Sequence, residues 1–329
     1  MPMDNMQMNG MPMLKVNVHD ILTAWQSGPF SFAVLLTLVL LGYWYLHATH
    51  LLAERNRVWP RRRTVNFLLG LGAIELALQS PVATFTQDYF TSHIIQHLLL
   101  MLVAPPLLAL GAPSTLFLQT SSRKMKKHWL SFIRSGAFAI ISHPISVWFI
   151  YYGFMFIFFL TPLIGIAMEH MALMDLINLA FLGGGTLFWW PIIGIDPILH
   201  WRMGYIARVV NLLIGVPVES FLAIAILSER SPIAPMYTVS DTHAGGALLW
   251  ILSEAMTLPA LVPLFRRWVG SDEREGSRMD ARISHKLSRT ERSGWNSEKP
   301  DVPSAWEAHW IARTGGLPPT QEVTKPADP

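Results

Sequence analysis

The fold class is decided by stretches such as residues 29–52, which read PFSFAVLLTLVLLGYWYLHATHLL. The run contains no Asp, Glu, Lys or Arg, and it is longer than the roughly 20 apolar residues with which a helix crosses a bilayer. Six similar blocks follow. The predicted spans are residues 29–52, 65–87, 92–112, 136–160, 168–191, 206–227 and 244–265. Because a chain in lipid must satisfy its own backbone hydrogen bonds, the sequence predicts an all-α polytopic membrane protein of about seven transmembrane helices.

The composition supports a membrane protein and excludes several kinds of site. Of the 329 residues 51% are hydrophobic and 14% are charged, whereas a soluble domain carries about 25% charged residues. Cysteine is absent, which excludes disulfides, thiolate metal sites and iron–sulfur clusters. The net charge of +3 comes from basic residues near the ends of the spans, so the expected partner is the lipid bilayer and not a nucleic acid.

Lys and Arg also predict the orientation. Of the 25 basic residues, all but Lys15 and Arg230 fall on one side of the seven predicted spans. The positive-inside rule then places the N-terminus outside and the C-terminus in the cytoplasm of a bacterial plasma membrane. Three parts follow: a Met-rich extracytoplasmic arm (1–28), a seven-helix domain (29–265) and a polar cytoplasmic tail, largely disordered (266–329).

The candidate metal ligands lie at the outer ends of spans 3, 5 and 7. His93, His97 and Met101 are four residues apart and share one helix face. His170 and His243 begin spans 5 and 7 at a similar depth. Imidazoles and a thioether suit copper, whereas histidines that only hydrogen-bond to neighbouring helices are the alternative.

Secondary candidates surround this layer. The arm contributes Met3, Met6, Met8, Met11 and Met13, since thioethers bind Cu(I) where thiols would be oxidised; Glu169 and Asp241 lie beside His170 and His243. Three carboxylates fall inside spans, Glu75, Glu219 and Glu254, and each is expected to face the bundle interior because exposure to lipid is costly.

Span 3 also carries a family resemblance. The segment from His93-Ile94-Ile95-Gln96-His97 through Ala104-Pro105-Pro106 to Gly111-Ala112-Pro113 resembles the signature of the CtaG family of cytochrome c oxidase assembly proteins. Ser142-His143-Pro144 and Trp189-Trp190-Pro191 are supporting matches. Two positions depart from the pattern: Glu219 stands where the family has the histidine of Pro-Phe-His, and Ala180 where a histidine often follows Asn-Leu.

The resemblance implies a factor for the assembly and maturation of haem–copper cytochrome c oxidase, with oxidase subunits as partners. No motif of a soluble enzyme occurs, so no catalytic residue and no enzymatic reaction are predicted. Copper is the hypothesised metal, bound or delivered on the outer face, and haem is the less favoured cofactor. A copper transporter and a haem- or quinone-binding redox protein are the alternatives.

Overall fold

The computed structural model describes residues 23–196, 203–292 and 304–315, and the regular structure in these ranges is helical. The first half contains α1 (Pro29–Glu54), α2 (Arg61–Gln79), α3 (Pro81–Thr84), a 3-10 turn (Phe85–Gln87), α4 (Phe90–Leu98), a π-helical segment (Leu99–Val103), α5 (Ala104–Leu110), α6 (Pro113–Thr120), α7 (Arg123–Ile133) and α8 (Gly136–Ile141). The second half contains α9 (Pro144–Leu160), α10 (Leu163–Glu169), α11 (Met171–Ile193), α12 (Tyr205–Leu227), α13 (Val239–Arg292) and α14 (Ala305–Thr314).

These helices confirm an all-α polytopic membrane protein. Six helical stretches in the described ranges are long and apolar enough to cross a bilayer: Pro29–Glu54, Arg61–Gln87, Phe90–Thr120, Met171–Ile193, Tyr205–Leu227 and Val239–Gly270. The pair α9 and α10, which is bent by 77°, passes the same test when it is taken as one span and then makes seven. The chain is therefore a multi-pass membrane protein with the predicted order of spans.

Two predicted spans begin elsewhere in the structure. The span predicted from residue 136 begins at Pro144, because His143 caps α9 by accepting a hydrogen bond from the Ile145 amide (3.3 Å), which separates α9 from α8. The span predicted from residue 168 begins at Met171, and residue 168 itself belongs to α10. At the first junction Pro144 and the His143 cap begin the helix where hydropathy alone shows a continuous run. At the second, the extended backbone of His170 separates α10 from α11.

Span 3 (Phe90–Thr120) is the central helix of the bundle. In the most apolar 18 residues of span 3, 61% of the residues are buried inside the protein, whereas in those of span 1 only 11% are buried. Its neighbours approach closely at glycines: a methyl group on Gly185 would lie 2.9 Å from the Met101 carbonyl oxygen, and one on Gly70 would lie 2.9 Å from the Leu108 side chain. Tyr45 of α1 donates a hydrogen bond to the Gly111 carbonyl (2.7 Å). Residues of span 3 are thereby surrounded by protein.

One end of the bundle collects the basic loops. Arg55, after α1, donates to the Gln119 carbonyl near the end of span 3 (3.3 Å). Asp196, after α11, accepts hydrogen bonds from the amide (2.9 Å) and the hydroxyl of Thr115. Burial raises the pKa of the Asp196 carboxyl, while the Thr115 hydrogen bonds act in the opposite direction. The ends of spans 1, 3 and 5 thus meet at one face, as the topology requires; the side on which this face lies stays a prediction.

Contacts divide the chain into two units, with the boundary between Val269 and Gly270. The second unit contains the end of α13 and the short α14. Ser304 and Glu307 form a capping box at the start of α14, in which the Ser304 amide donates to the Glu307 carboxylate (2.6 Å). These hydrogen bonds lower the pKa of Glu307. The division into arm, membrane domain and tail stays a prediction, and the arm lies outside the described residues.

Candidate metal centre in span 3

The first turn of span 3 is fixed by a residue from span 7. Asp241 accepts hydrogen bonds from the Phe90 amide, the Thr91 amide (3.2 Å) and the Thr91 hydroxyl (2.9 Å). A carboxylate at a helix N-terminus satisfies free amides and interacts favourably with the helix dipole. Asp241, a secondary metal candidate in the sequence, therefore caps the helix that carries His93 and His97.

A change of helical pitch follows the histidines. Residues Leu99–Val103 form a π-helical segment directly before Pro105 and Pro106. Proline cannot donate a backbone hydrogen bond and crowds the preceding turn, so the hydrogen-bonding register shifts there. Met101 lies within this segment and is 3% exposed. Such π-helical turns occur frequently at functional sites.

Tyr237 determines which nitrogen of His93 carries the proton. The Tyr237 hydroxyl donates to the Thr86 carbonyl (2.6 Å) and lies 3.0 Å from His93 Nδ1. Because its only proton is used toward Thr86, the hydroxyl oxygen accepts from Nδ1–H of His93. Burial and the nearby carboxylates of Asp241 and Asp88 raise the pKa of Tyr237, which keeps the hydroxyl protonated. The Nε2 atom of His93 is left with a free lone pair.

His97 has no such neighbour. It is 2% exposed, its ring centroid is 4.6 Å from that of His93, and Phe181 packs against it at 4.2 Å. Neither nitrogen of His97, nor Nε2 of His93, has a hydrogen-bond partner among the residues that the structure describes. A buried polar group without a partner costs about 1–3 kcal/mol. Because a neutral imidazole has one lone-pair nitrogen, each ring can offer one nitrogen to a ligand: Nε2 of His93, and one of the two nitrogens of His97.

A small cavity adjoins His97. Its volume is about 10 Å³, and we call it the histidine cavity. Besides Ile94, Leu98, Leu102, Phe159 and Leu249, its walls are formed by His97, Met101, Tyr151, Met155, Glu219 and Ser253. Spans 3, 4, 6 and 7 thus each contribute a polar or sulfur-bearing side chain. The volume matches one water-sized guest.

The sequence does not predict that Met155 and Tyr151 line this cavity. Both lie in the aromatic run of α9, where no polar periodicity indicates which side chains face a cavity and which only pack. Glu219 was found as an intramembrane carboxylate, and it is 3% exposed with Oε2 unpartnered among the described side chains. Its position beside His97 could not be read from the sequence, because lateral helix packing is not encoded in hydropathy.

Similarity to known proteins bears on this arrangement. A sequence profile of the family described as cytochrome c oxidase caa3 assembly factor (Caa3_CtaG) matches residues 43–271. The chain belongs to this family. The match spans both histidines, the histidine cavity and the Asp241 cap.

Curated relatives of this caa3 assembly factor family member come from mycobacteria. An uncharacterized protein of Mycobacterium leprae is 29% identical over 282 residues, which is 80% of this chain and 42% of the relative. Uncharacterized proteins of Mycobacterium bovis and Mycobacterium tuberculosis are each 27% identical over 295 residues, 84% of this chain and 44% of theirs. The chain thus spans about two fifths of the length of these relatives. No solved structure matches it significantly.

The remaining outer candidates do not join the two buried histidines of this family member. Glu169 and His170 are exposed at the junction of α10 and α11. His243 donates from Nε2 to the Glu229 carbonyl (2.8 Å). Within the described ranges no group of three or more His, Cys, Asp and Glu side chains is placed to hold one ion. The structure places His93 beside His97, and His97 and Met101 in one cavity wall, and it does not bring His170 or His243 to them.

The intramembrane carboxylates differ in their surroundings. Glu75 accepts a hydrogen bond from the Gln79 side chain (2.9 Å). Glu254 accepts from Trp250 Nε1 (2.6 Å) and from the Ser220 hydroxyl (3.0 Å). Glu219 alone of the three lines the histidine cavity. The methionines of the arm, Met3, Met6, Met8, Met11 and Met13, lie outside the described residues.

Proposed function

We propose that the protein assists the assembly of a caa3-type cytochrome c oxidase by holding one Cu(I) ion at the histidine cavity, as cargo for the oxidase. The observation that carries the proposal is the pair of buried imidazoles of His93 and His97, whose ring centroids are 4.6 Å apart and which each have a nitrogen without a hydrogen-bond partner among the described residues; the Met101 thioether lines the cavity beside His97. Neutral imidazole and thioether are ligands that Cu(I) favours, and the chain has no cysteine to compete.

The tautomer of His93 supports a metal ligand over a packing role. Ligating histidines typically donate their second N–H to an oxygen that fixes the ring orientation. The Tyr237 hydroxyl is such an oxygen, 3.0 Å from Nδ1 of His93. The lone pair of His93 Nε2 therefore stays available for a metal ion. A histidine that served only to join helices would use its nitrogens in hydrogen bonds, as His243 does toward Glu229.

The far wall of the cavity completes the donor set. Met155 offers a second thioether, and the carboxyl group of Glu219 offers an oxygen and a negative charge. A monovalent cation in a medium of low dielectric is stabilised by a nearby carboxylate. In this chain Glu219 would take the place of the histidine that the family pattern has there.

The size of the cavity favours an ion over a larger cofactor. Pockets for drug-sized or cofactor-sized molecules measure about 300–1,000 Å³. The histidine cavity measures about 10 Å³, which is on the scale of a single ion or water molecule and far below the volume of a haem. The outer location of the site and a supply of copper by the Met-rich arm remain part of the proposal.

Two measurements test it. Purified protein is titrated with Cu(I) against a chromogenic chelator, with about one ion per chain expected for the wild type and loss of the ion for His93→Ala/His97→Ala. His47→Ala/His50→Ala removes two histidines of α1 outside the cavity and is the matched control. An unchanged number of bound copper ions per chain in the His93→Ala/His97→Ala variant would overturn the site.

The role in assembly is tested in cells. Oxidase activity is measured in membranes of a strain without the gene, and in the same strain carrying the wild-type gene or the His93→Ala/His97→Ala variant. We expect restoration by the wild type only. If both genes restore oxidase activity, assembly does not depend on the two histidines. Copper accumulation in vesicles that contain the protein would then favour a transporter.

A further inference from the structure

A second cavity lies at the C-terminal end of span 5 (α11), beside the amphipathic helix α7. Its volume is about 160 Å³, and we call it the tryptophan cavity. The walls come from α6, α7, α8, Ser142 and the end of α11, and they include Ser114, Trp129, Phe132, Thr186, Trp190 and Pro191. None of these residues belongs to the histidine cavity, so the tryptophan cavity has no part in the copper proposal.

Two hydrogen-bond donors in this cavity have no acceptor in the part of the chain that the structure describes. The indole Nε1 of Trp129 and the hydroxyl of Ser142 are buried and lack a partner among the residues described. Ser142 is 6% exposed. An indole N–H can only donate, so the missing partner is an acceptor atom. The rest of the wall is aromatic and aliphatic, which suits a hydrocarbon chain that carries a carbonyl oxygen.

The charge around the cavity specifies the ligand further. Helix α7 and the turn after it carry Arg123, Lys124, Lys126, Lys127 and Arg134. Residues 120–145 contain no Asp or Glu that could neutralise them. Basic side chains at the surface of a bilayer attract anionic headgroups. An occupant with a negative charge is therefore favoured over a neutral one.

The position of α7 also fits a lipid. It directly follows the end of span 3 at Thr120, and its apolar side chains Met125, Trp129, Phe132 and Ile133 recur at helical spacing. Met125 and Phe132 remain 52% and 57% exposed. A basic amphipathic helix with exposed apolar side chains at the end of a span lies in the headgroup zone.

We propose that the tryptophan cavity binds an anionic phospholipid, with an acyl chain against its aromatic wall, an ester carbonyl accepting from Trp129 and Ser142, and the phosphate facing the basic residues of α7. Three separate requirements meet in this ligand: an apolar tail, carbonyl acceptors and a negative charge. The site would fix α7 against span 5 in the membrane.

Native mass spectrometry of the full chain in neutral detergent tests the site with phosphatidylglycerol and phosphatidylcholine of identical acyl chains. We expect phosphatidylglycerol to bind about tenfold more tightly to the wild type. Trp129→Phe/Ser142→Ala, which removes both donors and keeps an aromatic ring in the wall, should weaken both lipids about tenfold, as expected for the loss of two hydrogen bonds. Lys124→Gln/Lys127→Gln should weaken phosphatidylglycerol and leave phosphatidylcholine unchanged.

Trp306→Phe/Ser228→Ala is the matched control, because both residues are outside the cavity and the Ser228 hydroxyl donates to its own helix (2.7 Å). Thermal unfolding without lipid establishes that the variants fold. Equal affinity of the two lipids for the wild type, or unchanged binding to the cavity variant, would overturn the proposal. Displacement of phosphatidylglycerol by a quinone from the wild type, with no effect of the Lys124 and Lys127 changes, would also overturn it and identify a quinone site.

Discussion

Tyr237 holds His93 in a single tautomer: its hydroxyl lies 3.0 Å from Nδ1 of His93 and donates its own proton to the Thr86 carbonyl. The two residues are 144 positions apart, so the ring orientation depends on the loop before span 7. Metal-binding histidines elsewhere depend on such partners for about 10–100-fold of their affinity.

Tyr237→Phe should therefore weaken Cu(I) binding by about 10–100-fold without removing a ligand. The change deletes the acceptor for Nδ1–H and lets the His93 ring turn or change tautomer. Tyr43→Phe, at a 67% exposed residue of α1, is the control and should leave the affinity unchanged. Equal affinities of the two variants in the chelator competition would contradict a role for Tyr237 in positioning His93.

Two carboxylates from elsewhere in the chain cap helices of span 3. Asp241 caps α4 near the histidines, and Asp196 caps α6 through Thr115 at the far end. Loss of a capping side chain costs about 0.5–2 kcal/mol. Asp241→Ala and Asp196→Ala should both lower the unfolding temperature in detergent, whereas only Asp241→Ala should also weaken Cu(I) binding.

This pair distinguishes a local effect from a general loss of stability. If Asp196→Ala weakens Cu(I) binding as much as Asp241→Ala does, the cap at Asp241 acts only through global stability. Circular dichroism melts together with chelator competition on the same samples give both quantities.

Gly185 determines how closely span 5 approaches the π-helical segment. A methyl group there would lie 2.9 Å from both the Met101 carbonyl oxygen and the Pro105 ring. Gly185→Ala should destabilise the protein by about 1–3 kcal/mol, as overpacking does in cores, and should displace Met101. Gly183→Ala meets no atom within 4 Å and should be neutral or up to about 1 kcal/mol stabilising through helix propensity. Equal unfolding temperatures of the Gly185→Ala and Gly183→Ala proteins would contradict the close approach.

Much of this architecture was accessible from the sequence, for identifiable reasons. Runs such as residues 29–52 can only be membrane helices, and the His93–His97 spacing places both rings on one face of a helix, where the structure has their centroids 4.6 Å apart. The motif of span 3 also led to the correct family.

What the sequence could not supply is lateral packing. Depth alone placed His170 and His243 in one layer with His93, yet His170 is exposed and His243 bonds to Glu229. Conversely, Met155 of span 4 and Glu219 of span 6 line the same cavity as His97, and no periodicity in the sequence predicts that they do. Which helix faces are neighbours depends on contacts such as Gly185 against Met101, and these are a property of the fold.

Glu219 offers the sharpest test of the composition of the histidine cavity. Its carboxyl group lines the cavity with His97 and Met101, and Oε2 has no hydrogen-bond partner in the described part of the chain.

Glu219→Gln keeps the shape and removes the charge, so Cu(I) affinity should fall by about tenfold or more if the carboxylate balances the ion. Glu219→His introduces the residue of the family pattern and should retain binding, since imidazole is itself a Cu(I) ligand. Glu75→Gln, at a carboxylate that accepts a hydrogen bond from Gln79 and does not line the cavity, is the control and should bind as the wild type does. Equal affinity of Glu219→Gln and the wild type would remove Glu219 from the donor set and leave the two histidines with the thioethers as the site.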